Sequence, residues 1–394
     1  MPRTRPLRIG IDGTPLANTR GFGRFARELV HALALLDSPH QFVAFIDKPS
    51  LDSSRVKIPL TFETHAVSVR QAPTQAASSS GRRRLSDMLA LAHAAARANL
   101  DAFYFPTTYT FFPVWNVGPV VVTAFDTMPL DFPDLFFTKP THRAAWRIKE
   151  QLAVATAKRV LTTSEFSKNS LMRHYGGPPE RYQVVPCAPS SAFKPITNPD
   201  DITAAQLRYH INPSKPFLMY VGGLSPHKNL VRLIQAFAAA SCQDAQLVLV
   251  GDFADVFHTH IPELQAATAQ LGLEDRVIFT GFVPDPDLAC LYNAALALVQ
   301  PSLIEGFGLP PVEAMACGTP VLASHAGSLP EVVSDAGLLF DPRDVDAIRA
   351  AIDAITHNPT LRSNLAQRAI ARARDFQWKT TAQQVHALLE SLAA

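Results

Sequence analysis

Cysteine is scarce. The 394 residues hold four, Cys187, Cys242, Cys290 and Cys317, with no CxxC spacing and no neighbouring histidine pattern. Nothing in that arrangement suggests a metal knuckle or a redox motif, and the four read as reduced packing residues of a cytosolic chain. No run approaches the ~18 to 20 apolar residues that span a bilayer. The N-terminal MPRTRPLRIGIDG passes from basic residues to a strand with no room for a signal-peptide apolar region. A soluble, cytoplasmic protein is the expectation. Excess charge of one sign is missing too: 36 Lys plus Arg stand against 34 Asp plus Glu, a formal net charge of +2, which argues against nucleic acid as a partner. No GxGxxG follows a strand with an acid ~20 residues later, so a nicotinamide-dependent oxidoreductase is excluded. No short-period repeat is present, which removes solenoids and propellers. Glycine is outnumbered by proline, 18 against 32.

What is present is a globular balance, 47% hydrophobic and 18% charged. Its length exceeds the ~250 to 300 residues at which single cores stop growing, so two domains are expected. Short β-rich runs alternate with amphipathic helical stretches, the pattern of parallel sheets covered by helices. Strands are expected near 8–12, 41–46, 101–105, 119–124, 158–162 and 181–186, then near 216–221, 245–250, 276–280, 295–299, 319–323 and 337–340. Phe22, Phe25, Ala26, Leu29, Val30 and Leu33 recur at helical spacing, predicting a helix over 22–36 with one buried stripe. Residues 71–84 read as a polar, basic loop. Pro186, Pro189, Pro195, Pro199, Pro213 and Pro216 crowd the segment 186–216, which reads as an extended, semi-stiff linker. The expected division is 1–190, a linker over 191–215, 216–376, and a terminal segment 377–394. The crevice between two such domains is the natural ligand site.

The most informative stretch is 300–318. A buried strand ends, a glycine-bearing turn follows, and Pro310 and Pro311 open a helix where a missing N–H costs least. Gly306 and Gly308 let backbone approach a ligand, and the N–H groups of Gly308 and Leu309 lie where the helix dipole favours an anion. Glu305 and Glu313 flank that position and can accept hydrogen bonds from sugar or ribose hydroxyls. Read alone, the stretch is also compatible with an ordinary strand-to-helix turn in which Glu313 is a first-turn acid.

The Glu-x7-Glu spacing within EGFGLPPVEAMACGTPV resembles the retaining nucleotide-sugar-dependent glycosyltransferases of family 4. The resemblance covers nearly the whole chain, through YVGGLSPHKN at 220–229, GFV at 281–283, SHAGSLPEV at 324–332, TTSEFSKNSL at 162–171 and IDGTPLANTRGFGR at 11–24. It implies an α/β GT-B fold, two Rossmann-like doubly wound domains facing across a cleft, with the acceptor on the first and the nucleotide sugar on the second. The segment 378–392 resembles the family's terminal helix that packs back on the first domain.

By the same resemblance, Lys228 grips the donor diphosphate, Glu305 bonds the donor sugar, Glu313 bonds ribose, and Gly306, Phe307, Gly308 and Leu309 line sugar and phosphate. Phe282, in the GFV block, joins the donor side. Many relatives carry an arginine five residues before the lysine. Gly223 stands there in this chain, and His227 or Arg181 is the expected substitute. Gly21 and Gly23 resemble a flexible loop that closes over donor phosphate and acceptor, with Arg24 toward an anionic group; taken alone, that GxG is equally a tight turn into a helix. Relatives frequently have His-Asp where this chain has Phe125-Asp126. Asp126 therefore takes the expected role of holding an acceptor hydroxyl, with a turn cap as the alternative. Ser164 resembles another acceptor-side residue and equally suits an N-cap of a helix over 165–175.

Two Asp-x-Asp triplets, 285–287 and 344–346, read as helix starts, and His258-Thr259-His260 lacks a third ligand, so no metal and no cofactor is expected. Arg82-Arg83-Arg84 before LSDMLALAHAAARANL suggests a basic helix that rests on anionic membrane, or a solvated junction. The overall pattern looks most like mannosyltransferases of surface-polysaccharide assembly. It implies transfer of a hexose, mannose from GDP-mannose, to a saccharide or lipid-linked saccharide acceptor with retention. UDP- or dTDP-sugars are the runner-up donors, and a catalytically silent nucleotide-sugar-binding partner is the rival class.

Overall fold

The computed structural model describes residues 5–19, 21–53, 56–72, 84–137, 139–253 and 260–393. Arg82, Arg83, His258, Thr259 and most of the loop expected over 71–84 lie outside that set. Two compact units emerge: Met1–Cys187 together with Trp378–Ala394, and Ala188–Gln377. Among the described residues no helix is long and apolar enough to cross a membrane.

The first unit is built on a seven-stranded sheet. Its strands are β1 (Arg8–Asp12), β2 (Gln41–Asp47), β3 (Glu63–Val67), β4 (Ala102–Phe105), β5 (Val120–Thr123), β6 (Arg159–Thr162) and β7 (Tyr182–Val184). They run in the order β3-β2-β1-β4-β5-β6-β7, and every pair is parallel. Central strands such as Val120-Val121-Val122-Thr123 are wholly buried, as expected of strands covered on both faces. The edge strand β3 was not expected from sequence: Glu-Thr-His-Ala-Val alternates half-buried and exposed positions, so it carries little of the apolar signal by which buried strands are found.

That edge is pinned by charge. Arg8 meets Glu63 at 2.7 Å and His65 meets it at 2.6 Å. The guanidinium of Arg8, then the ring of His65, hold the Glu63 carboxyl down to about 2. A carboxyl lowered in the folded state contributes stability above its unfolded value and loses it as pH falls through the folded one. We therefore expect the stability difference between the wild type and Arg8→Gln, measured by urea titration, to shrink as pH is taken from neutrality toward about 2. A difference constant over that range would show the edge pair to be inert.

The second unit carries a six-stranded sheet. It comprises β8 (Phe217–Val221), β9 (Gln246–Val250), β10 (Val277–Gly281), β11 (Ala297–Gln300), β12 (Val321–Ser324) and β13 (Gly337–Phe340). The order is β10-β9-β8-β11-β12-β13, again all parallel. Leu218, Tyr220, Leu247, Leu249 and Val299 of the sheet pack against Leu233, Ile234 and Phe237 of helix Leu230–Ala239 in one buried cluster. In both units the strand order reverses once, between β1 and β4 and between β8 and β11. Such reversals splay the loops after the strands and open a crevice at their carboxyl ends.

The expected linker over 191–215 is corrected. Residues Pro199–Arg208 form a helix, with Pro199 at its start and the Asn198 side chain accepting from the Asp200 N–H. Here proline begins a helix instead of extending the chain, because φ is preset and the first N–H has no helical partner to lose. Arg208 reaches Asp287 at 2.6 Å and the Tyr209 hydroxyl donates to the same carboxylate at 2.8 Å, so this segment is part of the second unit. Asp287 of the first Asp-x-Asp triplet is thereby a structural anchor. In the second triplet, Asp344 caps helix Val345–His357 by accepting from Asp346 N and Ala347 N. The helix Trp378–Ala393 belongs to the first unit and lies on helix Gly21–Ala34, with the Trp378 and Phe25 rings 5.5 Å apart.

Candidate functional site

The β8/β11 reversal gathers most of the expected donor-side residues of the second unit. β8 ends at Val221, and Gly222 (φ +150°) turns the chain over the Tyr220 phenol, which donates to the Gly223 carbonyl at 2.6 Å. The chain then forms the single turn Pro226–Lys228 and enters Asn229, which is left-handed at φ 62°. The Asn229 amide donates to the carbonyls of Pro301 at 3.0 Å and Pro342 at 2.6 Å, tying the loops after β8, β11 and β13 together. Leu303 N–H donates to the His227 carbonyl at 2.8 Å.

These bonds deliver the Lys228 ammonium to Glu305, Nζ to Oε1, at 2.7 Å. Gln300 Nε2 at 2.9 Å and Ser302 Oγ at 2.7 Å donate to the same Oε1. Among the described residues no hydrogen bond reaches Oε2. Burial alone would raise the Glu305 carboxyl, but the Lys228 charge and the hydrogen bonds from Lys228 and Ser302 outweigh it and hold the group below the usual carboxylate range. Glu305 is therefore a preformed anion whose second oxygen remains to accept.

Behind this pair, the segment 302–308 is fastened by the turn after β12. Ser324 Oγ donates to the Ser302 carbonyl at 2.6 Å. Ser328 donates through N–H to the Glu305 carbonyl at 3.1 Å and through Oγ to that of Phe307 at 2.8 Å. Gly327, at φ +65°, lies so close that a Cβ there would stand 2.6 Å from both N and O of Glu305. Gly308 is the left-handed residue that begins helix Leu309–Ala316, with Pro310 and Pro311 in its first turn. The leading N–H groups of such a helix have no helical acceptor and attract an anion.

Other donor-side candidates are placed differently. Glu313 is 2% exposed, with the Tyr292 hydroxyl donating to it at 3.3 Å. Phe307 is buried and meets Phe376 edge-on at 5.7 Å, so it supports the loop from beneath. Phe282 is 63% exposed beyond the end of β10. Arg181 does not stand in for the arginine that Gly223 replaces: in the first unit it donates to the carbonyls of Val154 and Ala157 and caps helix Pro140–Thr156.

In the first unit, Asp126 follows β5 and accepts from Met128 N at 2.9 Å, a turn cap. Phe125 packs edge-on against Phe25 at 5.1 Å, so the aromatic at this position serves the packing of the first unit. Ser164 is buried and accepts from Ser167 N as the N-cap of helix Glu165–Tyr175. Gly21, Gly23 and Arg24 occupy the first turn of helix Gly21–Ala34, a correction to the expected loop. Gly23 is required because a Cβ there would fall 2.0 Å from the Asn18 carbonyl oxygen. Sequence reasoning missed the network that steadies the segment after Asp126. Thr127 donates to Asp131 at 2.6 Å and accepts from the Ser170 hydroxyl, and Asp131 also meets His174 at 2.7 Å. It also passed over Gln300, Ser302, Asn229 and Ser328. Their polar side chains were visible, but their aim was not.

The family profile of glycosyl transferases group 1 matches residues 202–372, and that of the glycosyl transferase 4-like domain matches residues 20–188. The O-antigen chain mannosyltransferase B of Escherichia coli is 35% identical over 237 residues, 59% of this chain and 60% of that protein. A D-inositol 3-phosphate glycosyltransferase of Rhodococcus opacus is 31% identical over 284 residues, 70% of this chain and 62% of the relative. The chain thus spans about 60% of the length of those relatives. Among solved structures, sucrose-phosphate synthase of Thermosynechococcus elongatus superposes with a TM-score of 0.77 at 21% identity, covering 98% and 99% of the two chains. The Anabaena protein HepE, solved with UDP and glucose, gives 0.70 at 22% identity over 98% and 100%. These structures share the two parallel-sheet Rossmann-like units of the GT-B fold. With both halves of the chain matched in order, it belongs to the group 1 glycosyl transferases with a glycosyl transferase 4-like N-terminal domain.

Proposed function

We propose that the protein transfers a hexose, mannose from GDP-mannose, from a nucleoside diphosphate sugar to a saccharide or lipid-linked saccharide acceptor, with retention at the anomeric carbon. The observation that carries this reading is the Lys228–Glu305 pair, 2.7 Å apart and buried at the sheet reversal beside the start of helix Leu309–Ala316. As the glycosidic bond to the diphosphate breaks, negative charge grows on the leaving oxygen. In this reading the Lys228 ammonium and the N–H groups at 308–309 receive it, preorganised donors that need little reorganisation during the reaction. Glu305 Oε2 accepts from a donor-sugar hydroxyl, while Oε1 stays bound to Lys228, Gln300 and Ser302. The pair thereby orients sugar and phosphate against one another. The acceptor hydroxyl attacks the anomeric carbon and passes its proton to the departing phosphate oxygen. Mannose is favoured by the mannosyltransferase relatives of Escherichia coli.

The donor is tested by a thermal-shift series with GDP, UDP and dTDP. A ligand at 100 times its Kd that binds only the folded state adds about 2.7 kcal/mol, several degrees for a domain of this size. GDP should raise the melting temperature most. A larger shift with UDP would reverse the choice of base, and no shift with any of the three would remove the donor-site assignment. The UDP-bound Anabaena neighbour makes UDP the comparison that matters.

A further inference from the structure

Within the first unit, the helices Leu85–Ala96 and Pro140–Thr156 cover the same face of the sheet: Leu91, Ala92 and Ala95 of one share a buried cluster with Ala153 and Val154 of the other. Their outer faces therefore look the same way. Each carries an apolar stripe at helical spacing, Leu85 and Leu89 on the first, Ile148 and Leu152 on the second, between 52% and 75% exposed. Between their C-terminal ends stands Trp115, itself 45% exposed. The Asn116 amide donates to the Ala96 carbonyl at 3.1 Å. Trp115 also lines a cavity of about 730 Å³ with Ala155, Thr156, Lys158 and Leu392. Three separate segments on one side of the unit thus expose large apolar side chains.

The rim of that face has one sign. Arg84, Arg97, Arg143, Arg147 and Lys158 are exposed, while the only acids in 84–97, 109–119 and 139–159 are Asp87 and Glu150. Both are buried: Asp87 accepts from the N–H groups of Arg70 and Gln71, and Glu150 pairs with Lys149 at 3.1 Å. A chain whose net charge is only +2 has concentrated unopposed positive charge here. A second copy would meet this rim with its own arginines, which repel. Exposed Trp and branched aliphatics inside a ring of Arg and Lys match the interface of an anionic bilayer, where apolar groups enter the acyl boundary and cations meet headgroup phosphates.

We propose that this face docks the first unit on an anionic membrane surface. The docking is peripheral and reversible. It rests on the first unit alone, independently of which sugar is transferred.

The test is flotation of the full chain with vesicles of phosphatidylcholine and with an equimolar mixture of phosphatidylcholine and phosphatidylglycerol. The protein should float with the mixed vesicles, remain below with the neutral ones, and be released by rising sodium chloride. Arg143→Gln with Arg147→Gln should lower the partition coefficient roughly 30-fold, as each basic residue near such a surface contributes about 5-fold. Ile148→Glu with Leu152→Glu should reduce binding to background, with circular dichroism unchanged because both positions are exposed. Equal binding to the two vesicle types, or glutamate variants that bind like the wild type, would overturn the proposal. So would concentration-dependent dimerisation without vesicle binding, which would assign the face to a second copy. Nucleotide thermal shifts should be the same in all these variants, so failure here leaves the donor-site reading standing.

Discussion

Replacing Lys228 with methionine should lower transfer by about 10²- to 10³-fold, the loss typical when one preoriented donor to a developing anion is removed. The same change should destabilise the protein by roughly 3–5 kcal/mol, because it leaves a buried carboxylate without its cation. Both effects come from one geometry. Lys228 lies 2.7 Å from Glu305, and neither side chain is more than 15% exposed. The two effects separate in a double-mutant cycle. Lys228→Met with Glu305→Gln removes both charges yet keeps an oxygen for the Gln300 amide and the Ser302 hydroxyl, which otherwise lose their acceptor. The double variant should therefore regain most of the lost stability in a urea titration while transfer stays low. If Lys228→Met alone retains wild-type stability and turnover, the pair has neither role.

The pH dependence carries a sign that checks the cause. With Lys228 present, the Glu305 carboxyl is held below its ordinary value of 4.5, so its contribution is complete above that value and is lost as pH falls through the lowered folded one. Without Lys228 the main remaining influence is burial, which raises the carboxyl. The variant should then gain stability on acidification as the buried group takes up a proton. The difference between the two proteins should be largest near neutrality and narrow on the acid side.

How much of this was legible beforehand depends on what each residue does. Strands such as Phe217–Val221 and Val120–Thr123 are buried on both faces, so their apolar runs announce them. The edge strand Glu63–Val67 and the helix Pro199–Arg208 were not anticipated. The first has two of its five residues exposed and none fully buried, and the second begins at a proline that composition alone counts as a breaker. At the site, Glu305, Lys228 and the paired prolines stood out because their types and spacing carry meaning within a short window. The acceptance of three hydrogen bonds by one oxygen of Glu305 did not, since it depends on how Ser302, Gln300 and Lys228 are aimed. Lys228 lies 77 residues away in the chain. Asp126 and Ser164 show the converse: both were singled out, and each makes the local capping bond that its residue type also favours.

Gly327→Ala should be the most damaging single-methyl change near the site. The residue is left-handed at φ +65°, which costs a non-glycine residue roughly 1–2 kcal/mol. A Cβ would also lie 2.6 Å from the Glu305 nitrogen and 2.6 Å from its oxygen. Those are backbone atoms, and no rotamer change can clear them. One of the two segments must move, and the Ser328 bonds to the Glu305 and Phe307 carbonyls, at 3.1 and 2.8 Å, span the gap that would open. Losing them leaves buried carbonyls unpaired, each at about 1–3 kcal/mol. A total of roughly 3–8 kcal/mol follows, with Glu305 displaced from Lys228. Gly272→Ala is the control, because Gly272 has φ +64° in the same unit and an added methyl there would meet nothing within 4 Å. It should lose only the backbone cost and keep its nucleotide thermal shift, whereas Gly327→Ala should lose both stability and most of that shift. Equal destabilisation of the two variants, with nucleotide binding intact in both, would mean that the approach of the 324–328 turn to Glu305 does not hold the site.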